Sequence, residues 1–312
     1  MLALTFPGQG SQSVGMGKEL ADAFPEAKAV FDEVDEALGE KLSDIIWNGP
    51  EETLTLTANA QPALMAVSIA ALRAMEAQGF QVTHANYVAG HSLGEYSALA
   101  AAHALTVGDT ARLLRIRGNA MQAAVPAGKG AMAAIIGLEM DQVEAICAAA
   151  TQDGDAVQIA NDNGGGQLVI SGHKGAVERA SEAAKEAGAK RALMLPVSAP
   201  FHSALMQPAA DAMAEALANV DVEATIVPLI ANVLADPISH PDDIRKRLVE
   251  QVTGRVRWAE SVEYMSEQGV SRILEIGAGK VLTGLARRID RDMEGIAVNT
   301  PADIEKVMQV LA

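Results

Sequence analysis

The sequence predicts a mixed α/β fold with a largely parallel sheet and a second, smaller unit inserted into it. Short apolar runs alternate with helical patterns before and after the middle of the chain, which is typical of a parallel sheet with helices on both faces. Between those regions the order changes to β-α-β-β-α-β. We therefore expect a large unit formed by residues 1–127 and 198–312 and a small unit formed by residues 128–197.

The elements of the large unit follow from the spacing of its apolar residues. Leu2–Phe6 is a short apolar strand that leads directly into the turn PGQGSQ, and residues 86–90 form the next strand. After the small unit, the segments TIVPLIAN, RILEIG and IAVN have the apolar content of buried strands. Helical spacing covers three segments, the second of which begins with a proline in its first turn: 21–38, 62–78 and 107–124.

The small unit is predicted to contain four strands and two amphipathic helices. Its strands are AMAAIIG, AVQIAN, QLVISG and RALMLPVS, and its first helix covers 141–151. Alanine and valine mark one face of the second helix at helical spacing. The resulting order of elements is that of the split βαβ, or ferredoxin-like, arrangement.

Composition and charge exclude several classes of function. A chain of 312 residues that is 49% hydrophobic can bury a sizeable core. Its net charge of −16 argues against nucleic acid or an anionic membrane surface as the main partner. The least charged long window, Thr53–Leu72, contains Pro62 and polar residues, so we expect no membrane span. The N-terminus lacks a basic region, and we expect no signal peptide.

The single cysteine, Cys147, excludes an internal disulfide. It shares one face of a helical pattern with apolar residues, which favours a buried structural role over a catalytic one. Because disulfides are characteristic of oxidising compartments, a cytoplasmic protein is the natural inference.

A candidate nucleophile, Ser92, lies in Gly90-His91-Ser92-Leu93-Gly94, between an apolar run and an alanine-rich helical pattern. In that context the G-x-S-x-G pattern is typical of the sharp strand–turn–helix elbow of α/β-hydrolase-like folds. Glycine on either side removes Cβ atoms that would collide as strand and helix pack. The serine hydroxyl would then lie at a helix N-terminus, where free N–H groups favour a developing oxyanion. An ordinary helix-capping serine is the alternative.

An activated serine needs a base, and His202 is the best candidate among six histidines. It follows a strand and Pro200 where the chain returns from the small unit, and loops at such junctions line clefts. A solvated loop histidine is the alternative. We expect His91 to support the elbow by packing or hydrogen bonding. The other four histidines lie beside turns or helix ends, and no pair has metal-ligand spacing, so no metal is expected.

Two glycine-rich segments fail as nucleotide sites. GQGSQS has Ser13 where a dinucleotide fingerprint needs its third glycine, and IGAGKV has Val281 where a phosphate loop needs serine or threonine. Both are better explained as tight strand-to-helix turns, and we expect no cofactor. The first turn follows a strand that would neighbour the elbow strand, so the backbone N–H of Gln9 could face Ser92.

Five dispersed segments together resemble the malonyl-CoA:acyl-carrier-protein transacylase family. They are FPGQGSQ, GHSLGEYSAL, RG..MQ, PFHSALM and GKVLTGL, and their order and spacing cover nearly the whole chain. Ala278 departs from the family pattern, which has proline at this position. The resemblance implies transfer of a malonyl group from malonyl-CoA to the thiol of acyl carrier protein through a malonyl-serine, supplying extender units for fatty acid synthesis.

The resemblance also implies roles for individual residues. It implies that Ser92 is the nucleophile and His202 its base, with the N–H groups of Gln9 and Leu93 as the oxyanion hole. It also implies that Arg117 pairs with the malonyl carboxylate, and that the main-chain carbonyl of Gln251 orients the ring of the base. A planar guanidinium matches a carboxylate in a bidentate pair. An acyl group without a carboxylate would therefore leave Arg117 unpaired. We expect Phe201, beside the base, to exclude branched acyl groups.

Three alternatives remain open from the sequence. A serine hydrolase or thioesterase could use the same elbow, but it would need an acidic triad member and no buried arginine. A polyketide-pathway acyltransferase would share the whole site, and a noncatalytic scaffold would tolerate loss of Ser92. Acyl carrier proteins are acidic, as the resemblance implies, and this chain is acidic too, so docking needs a local basic patch. The candidate clusters are Lys190 with Arg191 and Arg287 with Arg288.

Overall fold

The computed structural model describes residues 1–152, 154–197 and 199–311. Its strands are β1 (Leu2–Phe6), β2 (Tyr87–Gly90), β3 (Gly130–Ile136), β4 (Val157–Asp162), β5 (Gln167–His173), β6 (Arg191–Met194), β7 (Leu229–Ile230), β8 (Pro237–Ile238), β9 (Val256–Arg257), β10 (Arg272–Ile276) and β11 (Glu294–Val298).

The helices fall between these strands. They are α1 (Lys18–Ala23), α2 (Pro25–Leu38), α3 (Leu42–Asn48), α4 (Glu51–Thr55), α5 (Thr57–Ala77), α6 (Gly94–Ala101), α7 (Val107–Ala124), α8 (Met140–Ala150), α9 (Lys174–Glu186), α10 (Gln207–Ala218), α11 (Pro241–Thr253), α12 (Trp258–Glu267), α13 (Val281–Ile289) and α14 (Pro301–Leu311). Two short 3₁₀ helices cover Val82–His84 and Ala204–Met206.

The large sheet has the strand order β11-β10-β1-β2-β7-β8. All neighbouring pairs are parallel except β7 and β8, which are antiparallel. In the pairing of β1 with β2, Phe6 lies opposite Gly90, so the two strands end side by side. The turn after β1 and the turn after β2 therefore meet at one edge of the sheet, where ligands bind in open α/β folds.

The small sheet has the order β6-β3-β5-β4, with every neighbouring pair antiparallel. This is the order that the split βαβ arrangement requires, and it confirms the predicted fold class. Strand β9, from the large unit, extends this sheet by pairing in parallel with β4. The small unit has its own apolar cluster beneath α8 and α9, centred on Ile135, Ile170 and Val177.

The division into 1–127 with 198–312 and 128–197 stays a prediction. Ser198, which ends the predicted strand RALMLPVS and begins the second part of the large unit, lies outside the described residues, as does Ala312.

Several elements differ from their predicted bounds, and proline explains two of the differences. Helix α5 begins at Thr57, five residues before Pro62, which therefore lies inside the helix. The segment 21–38 divides at Phe24 because Pro25 starts a new helix. The strand in TIVPLIAN is reduced to Leu229–Ile230, directly after Pro228. Across the described residues, none of the helices combines the length and apolarity needed to cross a bilayer.

Candidate active site

Ser92 occupies a sharp turn between β2 and α6. Its φ angle is 55°, in the left-handed region that serine adopts only under strain. A Cβ atom on Gly90 would collide with the main chain of Gly94, and one on Gly94 would collide with the carbonyl oxygen of Phe6. Both glycines are therefore required for β1, β2 and α6 to pack this closely, as the sequence pattern predicted.

Asn232 holds the elbow from the neighbouring strand. The backbone N–H of Ser92 donates to Asn232 Oδ1 at 2.8 Å, and Asn232 Nδ2 donates to the carbonyl of Gly90 at 2.7 Å. Asn232 is buried and comes just after β7, at the carboxyl edge of the sheet. Sequence reasoning missed it, although a polar residue after a buried strand at this edge is a general indication of a site.

His202 lies within hydrogen-bonding distance of the serine. The distance from Ser92 Oγ to His202 Nε2 is 2.7 Å, and that from His202 Nδ1 to the main-chain oxygen of Gln251 is 2.8 Å. A carbonyl can only accept, so Nδ1 carries the proton and Nε2 is free to accept from the serine hydroxyl. Burial, reinforced by the positive charge of Arg117, lowers the pKa of His202 to about 3. The ring is thus neutral and ready to take a proton at physiological pH.

The loop that carries His202 is fixed by a side chain of the small unit. Gln158, in β4, donates to the carbonyl oxygens of His202 and Thr253 at 3.3 and 3.2 Å, and accepts from the N–H of Ala204 at 3.0 Å. His202 itself has a φ angle of 55°. Sequence reasoning missed Gln158, because nothing in the pattern AVQIAN distinguishes a positioning glutamine from a solvated one.

Arg117 extends from α7 to the nucleophile and is only 1% exposed. Its Nη2 donates to Ser92 Oγ at 3.1 Å and to Gln251 Oε1 at 2.7 Å, while Nη1 donates to Gln61 Oε1 at 2.7 Å. The expectation that the guanidinium lacks partners when no acyl carboxylate is bound is therefore wrong. Two glutamine side chains from α5 and α11 already accept from it.

A cavity of about 430 Å³ opens over the serine. Its walls come from the elbow, the turn after β1, α7 and the small sheet. Seven of the predicted residues line it: Gln9, His91, Ser92, Leu93, Arg117, Phe201 and His202. Gln251 lies behind this wall, fully buried. The structure thus brings every predicted site residue to one place at the carboxyl edge of the large sheet.

His91 contacts the small unit through Asn163 and the large unit through Trp258. Its Nε2 lies 2.9 Å from Asn163 Oδ1, and its ring lies 5.6 Å from the ring of Trp258. Burial lowers the pKa of His91, so the ring is neutral and donates to the asparagine oxygen. These contacts are consistent with the predicted supporting role.

Glu95 is a buried carboxylate directly behind the site. It follows Gly94 in α6, is 1% exposed, and accepts from Gln251 Nε2 at 2.5 Å and from the N–H of Asn232 at 3.3 Å. Burial raises its pKa to about 7, against the opposing effect of these hydrogen bonds and of Arg117. Glu95 stands inside the motif GHSLGEYSAL, but its contacts depend on residues more than a hundred positions away, and sequence reasoning did not single it out.

Comparison with known proteins agrees with this geometry. The sequence profile of the acyl transferase domain matches residues 4–300. The malonyl CoA-acyl carrier protein transacylase of Bacillus subtilis is 49% identical over 310 residues, which cover 99% of this chain and 97% of that protein. The chain belongs to the malonyl-CoA:acyl-carrier-protein transacylase family.

Solved structures of this transacylase family have the same fold. The acyl-carrier-protein S-malonyltransferase of Bartonella henselae matches with a TM-score of 0.97 and 62% identity, over 99% of both chains. A malonyl-transacylase in complex with a type II PKS acyl-carrier protein matches with a TM-score of 0.96 and 45% identity, also over 99% of both chains. The resemblance drawn from five motifs is confirmed, and the chain is an acyltransferase.

The two basic clusters differ in their distance from the transacylase cavity. Arg288 donates through Nη1 to Gln167 Oε1 at 3.1 Å, and Gln167 lines the cavity. Lys190 and Arg191 lie at the start of β6, at the outer edge of the small sheet. All four side chains of the clusters are exposed. Their role in docking stays a prediction, and the Arg287–Arg288 cluster reaches the cavity wall through the contact of Arg288 with Gln167.

Proposed function

We propose that this chain transfers the malonyl group from malonyl-CoA to the phosphopantetheine thiol of acyl carrier protein through a malonyl ester on Ser92. The observation that carries the proposal is the buried guanidinium of Arg117, 3.1 Å from Ser92 Oγ. An acyl group bound to that oxygen would have its far end beside a positive charge. A three-carbon acyl group that ends in a carboxylate fits this arrangement, because it can form a charge-assisted pair with arginine.

The first half-reaction needs a nucleophile, a base and an oxyanion site. Ser92 Oγ would attack the thioester carbonyl while its proton passes to His202 Nε2. The N–H groups of Gln9 and Leu93 would donate to the oxygen that becomes negative. When the tetrahedral intermediate collapses, the C–S bond breaks and the thiolate of coenzyme A takes the proton from His202. The product is an ester, and Nδ1–H remains bound to Gln251 throughout.

The second half-reaction reverses these steps with a new thiol. The phosphopantetheine thiol would give its proton to His202 and attack the ester carbonyl. Collapse of the intermediate breaks the C–O bond and returns the proton to Ser92 Oγ. Because one thioester replaces another of similar energy, no energy source or cofactor is required. The enzyme must instead keep water from the ester.

Two features favour acyl transfer over the serine hydrolase alternative. The partner of His202 Nδ1 is a main-chain carbonyl and not the carboxylate of a hydrolase triad. A buried arginine beside the nucleophile would also disfavour neutral acyl groups. The relatives' names support an acyl carrier protein as the acceptor, and the family resemblance implies that it serves fatty acid synthesis. The neighbour solved with a type II PKS acyl-carrier protein supports a polyketide carrier as the second candidate acceptor. We also propose a cytoplasmic location, supported by the single buried cysteine.

The test is the intact mass of the protein after brief exposure to malonyl-CoA. We expect wild type to gain one malonyl group, Ser92→Ala to gain none, and added holo-acyl carrier protein to remove the adduct with ping-pong kinetics. A wild-type protein that remains unlabelled, or a Ser92→Ala variant that transfers at the normal rate, would refute the covalent mechanism. Rapid release of free malonate without a thiol acceptor would favour the hydrolase.

A further inference from the structure

A buried chain of polar side chains connects Glu95 to the predicted carboxylate-binding arginine. The carboxylate of Glu95 accepts from Gln251 Nε2 at 2.5 Å, and Gln251 Oε1 accepts from Arg117 Nη2 at 2.7 Å. Each of the three residues is at most 1% exposed. One amide group thus separates a buried negative charge from a buried positive charge.

These neighbours determine which way the Gln251 amide points. An ionised carboxylate only accepts hydrogen bonds, and a guanidinium only donates them. The NH₂ group must therefore face Glu95 and the oxygen must face Arg117, since the reverse orientation would place donor against donor and acceptor against acceptor. The backbone carbonyl of Ser92 also accepts from Nε2, at 2.9 Å, which reinforces the same orientation.

We propose that Glu95 is a positioning residue for substrate selection: it fixes the Gln251 amide and, through it, holds Arg117 beside Ser92 as the receptor for the acyl carboxylate. Glu95 contacts neither the acyl cavity nor the reacting atoms, so it acts only through other groups. The inference rests on the proposed function, because it assumes that Arg117 selects an acyl group that ends in a carboxylate.

The contacts of Glu95 indicate that its effect falls on Arg117 more than on the nucleophile. Its bond to Gln251 is short, whereas its bond to the N–H of Asn232 is long, at 3.3 Å. The side chain of Asn232 is held mainly by the main chain of Ser92 and Gly90, and its contact with Gln251 Nε2 is long, at 3.5 Å. His202 is held by the main-chain oxygen of Gln251 and not by its amide. Loss of Glu95 should therefore release Arg117 and leave Ser92 and His202 in place.

The charge of Glu95 also supports the buried guanidinium. Arg117 has neutral glutamine oxygens as its direct partners, and a buried cation without a nearby anion is costly. Glu95 provides that anion across the amide, and the aligned amide dipole strengthens both of its hydrogen bonds. Although burial raises the pKa of Glu95 to about 7, a substantial fraction of the carboxyl is still ionised at neutral pH, when this support is needed.

The experiment measures kcat/KM for loading by malonyl-CoA and by acetyl-CoA in wild type, Glu95→Ala, Glu95→Gln, Arg117→Ala and the double variant Glu95→Ala/Arg117→Ala. We expect Glu95→Ala to lower malonyl loading roughly tenfold or more, the usual scale of coupling within a buried network. Acetyl loading should fall much less, so the malonyl-to-acetyl ratio declines. Glu95→Gln, which keeps the size but not the charge, should lower the ratio by a smaller factor.

The double variant shows whether Glu95 acts through Arg117. If it does, adding Glu95→Ala to Arg117→Ala changes malonyl loading by less than roughly threefold, because the interaction is already lost. Glu275→Gln is the matched control: Glu275 is also a buried carboxylate, but it accepts from the N–H groups of Leu282 and Thr283 at the start of α13. Its replacement should leave the malonyl-to-acetyl ratio unchanged.

Any of four results would overturn the inference. Equal losses of malonyl and acetyl loading in Glu95→Ala would assign Glu95 a general structural role. Additive losses in the double variant would show that Glu95 does not act through Arg117. Faster malonyl loading in Glu95→Ala would mean that the charge of Glu95 merely repels the substrate. If Glu95→Ala does not fold, the isosteric Glu95→Gln still gives the ratio. Wild type that shows no preference for malonyl-CoA would refute the proposed function itself, whereas a preference that survives in every Glu95 variant would refute only this inference.

Discussion

The two ends of the acyl pocket are held in place by different kinds of groups. At the reactive end, the strained turn of the elbow fixes Ser92, and a main-chain carbonyl fixes the His202 ring. At the far end, Arg117 is held by the side chains of Gln61 and Gln251, and Gln251 is held in turn by Glu95. At the reactive end, backbone geometry orients the two catalytic side chains directly, and the side chains of Asn232 and Gln158 support the loops that carry them. At the far end, side chains alone hold the guanidinium in place.

This difference separates the chemistry from the choice of substrate. A backbone carbonyl is present whatever residue occupies the position, so the orientation of His202 does not depend on the side chain of residue 251. The position of Arg117 does depend on it, and on two further side chains. Substitutions at the far end should therefore change which acyl group is transferred, while substitutions at the reactive end should slow every acyl group alike.

The largest effect is expected from the reactive end, in His202→Ala. Without a base to accept the serine proton, loading should fall by roughly two to four orders of magnitude, the usual contribution of a general base. The loss should be similar for malonyl-CoA and acetyl-CoA, because the base acts at the carbonyl that both share. Single-turnover loading rates, followed by intact mass, measure both.

Two further variants test whether backbone strain, and not loss of the base, causes the loss of activity in His202→Ala. His202 has a left-handed φ angle, which asparagine tolerates better than alanine. His202→Asn should therefore lose about as much activity as His202→Ala. His103→Asn alters another histidine with a left-handed φ angle, at an exposed position, and should leave the rate near that of wild type. A loss below tenfold in both His202 variants would assign the base to another residue.

The sequence predicted the groups that react with or bind the substrate better than the side chains that position them. Ser92 and its two glycines form a local pattern whose geometry follows from steric exclusion within five residues. His202 was identified by its position at a strand end, and its role by the family resemblance. Gln61, Asn232 and Glu95 were not predicted, because their importance comes from contacts between positions far apart in the chain. Only the folded arrangement distinguishes these buried polar groups from ordinary surface residues.

The loss of activity expected at the far end of the pocket is smaller than that in His202→Ala, and it should depend on the acyl group. Arg117→Ala removes the predicted partner of the malonyl carboxylate, and malonyl loading should fall by roughly two orders of magnitude, as for loss of a buried charged hydrogen bond. Acetyl loading should hold steady or rise, because Arg117 no longer donates to Ser92 Oγ and no longer lowers the pKa of His202. The measurement is kcat/KM for both substrates.

Arg117→Lys and Arg112→Ala complete this comparison. Lysine restores the charge but not the two-pronged geometry, so it should recover only part of the malonyl rate. Arg112 lies on the same helix, pairs with Asp109 and is exposed, so its replacement should change neither substrate. Parallel losses for malonyl and acetyl in Arg117→Ala would show that the residue is structural, and the carboxylate partner would have to be sought elsewhere.

The smallest effect concerns the contribution of Glu95, at the far end of the pocket, to the free energy of unfolding. This contribution should vary with pH. Burial raises the pKa of Glu95 from 4.5 to about 7, so the folded protein retains a proton that the unfolded chain releases. The stability contributed by that proton is complete below pH 4.5 and is lost as the pH rises through about 7. Between about pH 5 and pH 8 the loss should be about 2 kcal/mol.

Glutamine has no such proton to lose, so the melting temperature of Glu95→Gln relative to wild type should increase by roughly 3 °C from about pH 5 to about pH 8. Glu215→Gln, on the exposed face of α10, controls for the loss of one negative charge and should show no such trend. Thermal unfolding of the three proteins at several pH values provides the measurement. A relative melting temperature for Glu95→Gln that is constant with pH would mean that Glu95 stays ionised throughout this range. In that case its charge would be fully compensated by Gln251, Asn232 and Arg117, and the far end of the pocket would carry no cost in stability for its selectivity.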